Sequence, residues 1–327
     1  MVLVTGGTGF LGSTLIRQLL AKGVPVRATR RPASDIPEAL ASPPGLEWVD
    51  ADVTDFFALE DAFDGVTQVY HCAAAISFDP ADRKRLVAVN VEGTANVVTL
   101  ALDRGARMLH VSSIAAMGRA KNGGETTEED LWEYDSLQSG YAVTKYEAEM
   151  EVWRGIAEGL DAVIVNPSLI IGASARPSGP GTSGAIFTLL RNGLDFYTDG
   201  MVGLIDVEDV ARAMILLMEN PAVSGQRFVL NNVNMTHREL LEQCAGLMGR
   251  RPPKYRAAPW MLSLAWRAAA IWSRLSGKRP LLTRETALSA SRRSQFSNRK
   301  LVAATGMTFK PITETLREIC TKLTTIP

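Results

Sequence analysis

Two textures alternate along the first half of the chain. Short apolar runs at 2–4, 24–29, 46–53, 65–71, 108–113 and 162–168 read as strands. Between them, at 13–20, at 83–102 and from 141 onward, apolar residues recur at three- and four-residue spacing and read as amphipathic helices. Strands alternating with helices predict an α/β doubly wound parallel sheet with right-handed crossovers. The segment 33–44 is rich in Pro, Ser and Ala and reads as a loop with a short helix. The polar segment 119–140 reads as a surface loop able to fold over a site. No repeat of solenoid period is present.

After Gly172 the pattern changes. Residues 173–184 are rich in Gly, Pro and Ser and read as a mobile loop. Helices follow at 208–220, 236–248, 259–275 and 312–323, with a short strand at 227–230. This predicts a first unit over 1–172 and a smaller, mostly helical substrate-capping region over 173–327, interleaved with the last sheet strands. The stretch 259–275 combines an apolar stripe with three tryptophans and two arginines. It reads as a helix packed on the cap, as the wall of an apolar pocket, or as a helix lying on a membrane surface.

The turn after the first strand is Thr5-Gly-Gly-Thr-Gly-Phe-Leu-Gly12. Glycine lacks a Cβ, so such a turn can be tight, approach a pyrophosphate and let the next helix pack close to the strand. The helix N-terminus then offers free N–H groups to phosphates. Strand, glycine turn and helix together point to a dinucleotide site. The second strand ends in Arg30-Arg31, where an acidic residue would hold the ribose of NAD. Two arginines predict NADP (NADPH) as the preferred cofactor, with NAD possible. Asp52, at the end of the third strand, either accepts from the adenine amino group or caps the next helix. Asn90 either bridges to the active site or bonds backbone. His71 reads as a packed core histidine.

Composition narrows the partners. Lys plus Arg and Asp plus Glu are 35 each, so no global field favours nucleic acid, and a small molecule is the expected partner. Cys72, Cys244 and Cys320 are separated in sequence and form no metal-ligand pattern. The first strand starts at residue 2, and no uncharged apolar run reaches membrane-span length. We expect a cytoplasmic protein without a metal.

Ser113 ends the fifth strand, at the sheet edge where ligands bind. Tyr141 and Lys145 lie four apart on a predicted helix and share a face. A phenol with an ordinary pKa near 10 exchanges protons slowly at neutral pH. A neighbouring ammonium and a positively charged nicotinamide are expected to lower it, making Tyr141 an acid/base for a carbonyl that Ser113 orients.

These residues resemble the extended short-chain dehydrogenase/reductases, the group of sugar-nucleotide epimerases, dihydroflavonol-4-reductases and 3β-hydroxysteroid dehydrogenases. The matching stretches are the glycine turn, Asp52-Val53, His71-Cys-Ala-Ala74, Asn90-Val-Glu-Gly-Thr94, Val111-Ser-Ser113, Tyr141 with Lys145, and Asn166-Pro167. The resemblance implies a Rossmann-type sheet and catalysis by Ser113, Tyr141 and Lys145. It implies cofactor contacts from Gly6, Gly9, Phe10, Leu11, Arg31, Asp52, Val53, Ala73, Ala74, Pro167 and neighbouring backbone, including Ser168. Arg30 and Asn90 complete the candidate set. Ile114-Ala-Ala-Met-Gly118 and Asn166-Pro-Ser-Leu-Ile-Ile-Gly172 look like the dihydroflavonol-reductase branch rather than the epimerases. The expected activity is NADPH-dependent reduction of a carbonyl on an apolar or cyclic molecule, or the reverse oxidation. An NAD-retaining sugar-nucleotide epimerase or dehydratase is the alternative, with Arg176, Arg191 and Arg227 as candidate diphosphate contacts. A non-catalytic NADP-sensing protein is a second alternative. The resemblance also implies a homodimer packed through helices 83–102 and 141–154.

Overall fold

Four consecutive buried residues, Val2–Thr5, form strand β1 in the interior of the main sheet. In the computed structural model, which describes residues 1–120, 123–135, 138–173, 185–276 and 282–325, β1 leads through the glycine turn into α1 (Phe10–Ala21). β2 (Val26–Arg30), β3 (Leu46–Asp50), α2 (Phe56–Ala62) and β4 (Gln68–His71) follow. One continuous helical run comes next: α3 (Arg83–Leu86), a π-helical stretch over Val87–Glu92, and α4 (Gly93–Asp103). β5 (Arg107–Val111) precedes a long loop with the short strand β6 (Glu125–Thr126). Then come α5 (Gly140–Ala157), β7 (Ala162–Pro167) and β8 (Leu169–Ile171).

The second half contributes α6 (Ala185–Arg191), β9 (Phe196–Tyr197), β10 (Met201–Asp206), α7 (Val207–Glu219), β11 (Gln226–Leu230) and β12 (Val233–Thr236). It continues with α8 (His237–Leu247), β13 (Tyr255–Arg256), α9 (Pro259–Ser276), α10 (Arg284–Ser289), β14 (Gln295–Phe296), α11 (Arg299–Thr305) and α12 (Ile312–Thr325).

The main sheet runs β11-β7-β5-β4-β1-β2-β3, with every neighbouring pair parallel. The strand order reverses between β1 and β4, so a crevice opens beyond their carboxyl ends. On one face Leu15, Ile16 and Leu19 of α1 meet Val210, Met214 and Leu217 of α7. On the other, Val97, Val98 and Leu100 of α4 pack with Val152 of α5. Full burial of such side chains contributes about 1.5–3 kcal/mol each. A third core, around Leu204, Leu240 and Leu316, belongs to the second half. Distance in sequence misleads there: the Cys320 thiol lies 3.9 Å from the Cys244 carbonyl, and both thiols are free.

Three differences from the sequence-based expectation have clear causes. A small sheet, β12-β10-β8, joins two strands of the second half to β8, where only the strand at 227–230 was expected beyond residue 172. β8 and β12 are only three and four residues long, too short for a period to show. The helical run Pro80–Asp103 is long and apolar enough to cross a membrane, which was not expected. Asn90, Thr94, Val97 and Leu100 are buried within the fold, so this apolar character serves the core. The 119–140 loop is also anchored, which the sequence did not announce. Arg227 of β11 donates to the carbonyls of Glu128 at 2.6 Å and Asp130 at 3.1 Å. The expected mobile loop at 173–184 lies, beyond residue 173, outside the described residues.

Candidate active site

Backbone with no side chains shapes the crevice. Gly6 has φ +69°, and a Cβ there would sit 2.8 Å from the Ala73 backbone, where the exit of β4 passes the exit of β1. A Cβ on Gly12 would sit 2.3 Å from the Gly6 carbonyl oxygen. Gly9 is the N-cap of α1; it supplies no side-chain cap, and the first turn holds no acidic residue. The leading amides of α1, from Phe10 and Leu11, are therefore uncapped and attract an anion. The Phe10 ring lies against Gly172 beyond β8. Ala73 and Ala74 add only small side chains to the wall beside Gly6. This cradle fits a pyrophosphate-bearing dinucleotide.

The two arginines after β2 differ. Arg30 pairs with Asp50 on the adjacent strand, Nε to Oδ1 at 2.7 Å, so its charge is already matched. Arg31 is exposed, and among the described residues no side-chain hydrogen bond or ion pair engages it. The Asp52 carboxylate accepts from the Thr54 amide at 3.0 Å and its hydroxyl at 2.9 Å. It does not cap α2; Asp55 does. Val53 is buried, and its carbonyl accepts from the Asn96 amide at 2.9 Å.

Ser113, Tyr141 and Lys145 come together at the end of β5. Ser139 caps α5 by accepting from the Ala142 amide, which places Tyr141 in the first turn. The Ser113 hydroxyl stands beside the Tyr141 phenol and accepts from the Ala115 amide at 3.1 Å. The Phe78 ring meets Tyr141 edge-on, with centroids 5.9 Å apart. Burial raises the pKa of Tyr141, and the neighbouring Ser113 hydroxyl opposes part of that rise. The expectation of a lowered phenol is thus not met by the chain's own groups: desolvation outweighs them. Lys145 is 2% exposed and donates from Nζ to the Val111 carbonyl at 2.8 Å. Burial lowers its pKa to about 8, and Glu149 acts in the opposite direction.

Beneath these residues lies a polar layer that the motifs do not announce. Glu149, one turn beyond Lys145, is fully buried. It accepts from Ser112 at 2.7 Å, Asn166 at 2.8 Å and Trp153 at 3.3 Å, and pairs with Arg227 at 3.3 Å. Asn166 also donates to the Ser113 carbonyl at 3.0 Å. The sequence clue was a charged residue at the buried spacing of α5, four after Lys145. Glu285 of α10 was also missed; it accepts from the Gly140 amide at 3.3 Å, next to Tyr141.

Of the two readings of Asn90, the structure shows the backbone one, with a further bond to α5. Its amide donates to the Ala75 carbonyl at 3.0 Å and to Thr144 at 3.1 Å, and its oxygen accepts from the Ala75 amide at 2.7 Å. Both amide hydrogens are used, so Asn90 braces α5 next to Lys145 rather than facing a cofactor. His71 is a core residue as expected, bonded to Thr5 at 2.7 Å and Thr94 at 2.9 Å. Burial lowers its pKa to about 3. Pro167 and Ser168 are buried at the end of β7, and the Ser168 hydroxyl has no protein partner among the described residues. Arg227 serves the Glu149 layer, and Arg191 donates to the Leu323 carbonyl at 3.3 Å. Arg176 lies outside the described residues. A separate cleft of about 1100 Å³ opens along Tyr146, Met150 and Trp153 of α5, away from Ser113 and the glycine turn.

The sequence profile of the NAD dependent epimerase/dehydratase family matches residues 2–231. A putative dihydroflavonol 4-reductase of Synechocystis is 32% identical over 321 residues, 96% of this chain and 92% of that protein. Cinnamoyl-CoA reductase 1 of Oryza sativa is 32% identical over 266 residues, covering 77% of each. The UDP-glucose 4-epimerase of Thermus thermophilus, solved with NAD, superposes with TM-score 0.78 over 100% of this chain and 99% of that one. At 24% identity it shares the fold. Glycine cradle, Ser-Tyr-Lys cluster and these matches agree: the chain belongs to the NAD-dependent epimerase/dehydratase family, as an NAD(P)-dependent oxidoreductase of the extended short-chain dehydrogenase/reductase type.

Proposed function

We propose that the chain catalyses NADPH-dependent reduction of a carbonyl on an apolar or cyclic small molecule, or the reverse oxidation, with Tyr141 as acid/base. The observation that carries this reading is the placing of the Ser113 hydroxyl beside the Tyr141 phenol at the end of β5, with Lys145 one turn further along α5 and bonded to the Val111 carbonyl. The glycine turn, the amides of Phe10 and Leu11, Asp52 and Arg31 are the groups that would hold the cofactor. A bound nicotinamide supplies or accepts the hydride. Ser113 orients the carbonyl oxygen. Tyr141 Oη gives that oxygen its proton during reduction and removes one during oxidation. A phenol with a raised pKa is protonated at neutral pH, which suits the reductive direction. Lys145 uses one N–H on Val111 and has two more for a ribose hydroxyl and the Tyr141 oxygen.

The reductases among the relatives support this reading. So does the unengaged Arg31 at the place where a 2′-phosphate is read. Against the epimerase alternative, Arg191 and Arg227 are both bonded within the protein. The test is titration of the purified protein with NADPH and NADH by fluorescence, followed by a panel of cyclic and aromatic ketones. Strong preference for NADPH and turnover of a ketone are expected. NAD that stays bound through purification, with turnover of nucleotide sugars alone, overturns the proposal.

A further inference from the structure

Helix α9 presents its apolar face outward. None of its residues is buried, and its main packing partner is α10. Trp260, Leu264, Ile271, Trp272 and Leu275 are 60–78% exposed. At 100° per residue these five fall within roughly 120° of the helix circumference. Arg267 and Arg274 border that stripe on one side, and both are exposed. An ordinary surface helix turns such a stripe to the core, so this face is built to be covered.

Charge identifies the cover. The described residues from 250 to 293 hold nine Arg and Lys against one acidic residue, Glu285, in a chain whose net charge is zero. A second copy of the same surface would bring like charges together, which disfavours self-association through α9. An apolar stripe with tryptophans, edged by arginines within a basic surround, matches the interface of an anionic bilayer. The rings and aliphatic side chains enter the acyl boundary, and the guanidinium groups stay at the headgroups.

We infer that α9 docks this protein on anionic lipid surfaces, lying in the plane of the interface rather than spanning it. The position has a consequence for the site. α9 packs on α10, and Glu285 of α10 bonds the first residue of α5, next to Tyr141. Docking therefore links the lipid surface, through α10, to the start of α5.

The experiment is flotation of the purified full-length protein with vesicles of phosphatidylcholine alone and of phosphatidylcholine mixed with phosphatidylglycerol. About tenfold more protein is expected to float with the mixed vesicles at ~0.1 M salt, falling towards the phosphatidylcholine value at ~1 M as the Debye length shrinks from about 10 to 3 Å. Two double variants, Leu264→Glu with Ile271→Glu and Arg267→Glu with Arg274→Glu, should each abolish flotation. Their thermal midpoints should match the parent, because all four side chains face solvent. Absence of flotation with mixed vesicles at low salt overturns the inference. So does flotation that survives Leu264→Glu with Ile271→Glu. A concentration-dependent rise in mass that the same variant removes, without vesicle binding, assigns the face to a second copy instead.

Discussion

Lys145 and Glu149 stand one turn apart on α5, both buried, and the carboxylate sustains the proton affinity of an ammonium that burial alone depresses. Lys145 titrates at about 8, close to working pH, so its charge is only narrowly held. Reduction is expected to be level up to neutral pH and to fall as Lys145 loses its proton above about 8. Glu149→Gln keeps the shape and removes the charge, so the fall should move to lower pH. Lys145→Arg should abolish that step, because a guanidinium does not deprotonate in this range. The check is a pH profile of kcat/KM for the three proteins. A loss of activity in Glu149→Gln with an unmoved profile would reduce Glu149 to a packing role.

Tyr141→Phe removes the donor and retains the ring that meets Phe78. Turnover should drop by about 10²–10⁴-fold, the usual share of a positioned acid/base. NADPH binding should be nearly unchanged, which calorimetry can establish. Equal losses in both would assign Tyr141 to binding instead.

Arg31→Ala should weaken NADPH by about 10- to 100-fold, from the ~1.5–3 kcal/mol of a hydrogen bond to a charged group, and leave NADH affinity in place. Arg30→Ala should spare this discrimination, because Arg30 is already paired with Asp50. Competitive titrations with the two cofactors decide it. A larger effect at Arg30 would reverse the assignment.

His71 adds an acid limit to stability. Its folded pKa of about 3 lies below the ordinary 6.5, so the unfolded chain binds the proton first as pH falls. Its contribution is intact above 6.5 and declines progressively towards pH 3, by roughly 4–5 kcal/mol over the window. Thermal midpoints should therefore fall with pH below 6.5. The His71 ring resonances should show no titration between pH 5 and 8, and a midpoint near 6.5 would refute the buried neutral form.

The strand–helix rhythm and the glycine turn were legible because each rests on local rules: period, missing Cβ and helix-end chemistry. Ser113, Tyr141 and Lys145 were legible because strand ends and the four-residue helix spacing place side chains without further information. Glu149 and Arg227 were not. Their meeting depends on β11 pairing beside β7, a contact between segments far apart in the chain. The two readings of Asn90 stayed open for a related reason: the sequence shows a polar residue in an apolar stripe, but not that Ala75 and Thr144 consume its donors. The rise that burial gives Tyr141 was not legible, because burial is a property of the assembled site.

The ion pair between Arg227 and Glu149 also bears on synthesis. A ribosome that has released residues 1–172 has produced all the strands of the main sheet except β11. The nascent chain then holds Glu149 without its guanidinium, and the loop at Glu128 without its clasp. A truncated first unit should therefore mature poorly, and α5 should reach its final seat only after Arg227 has emerged.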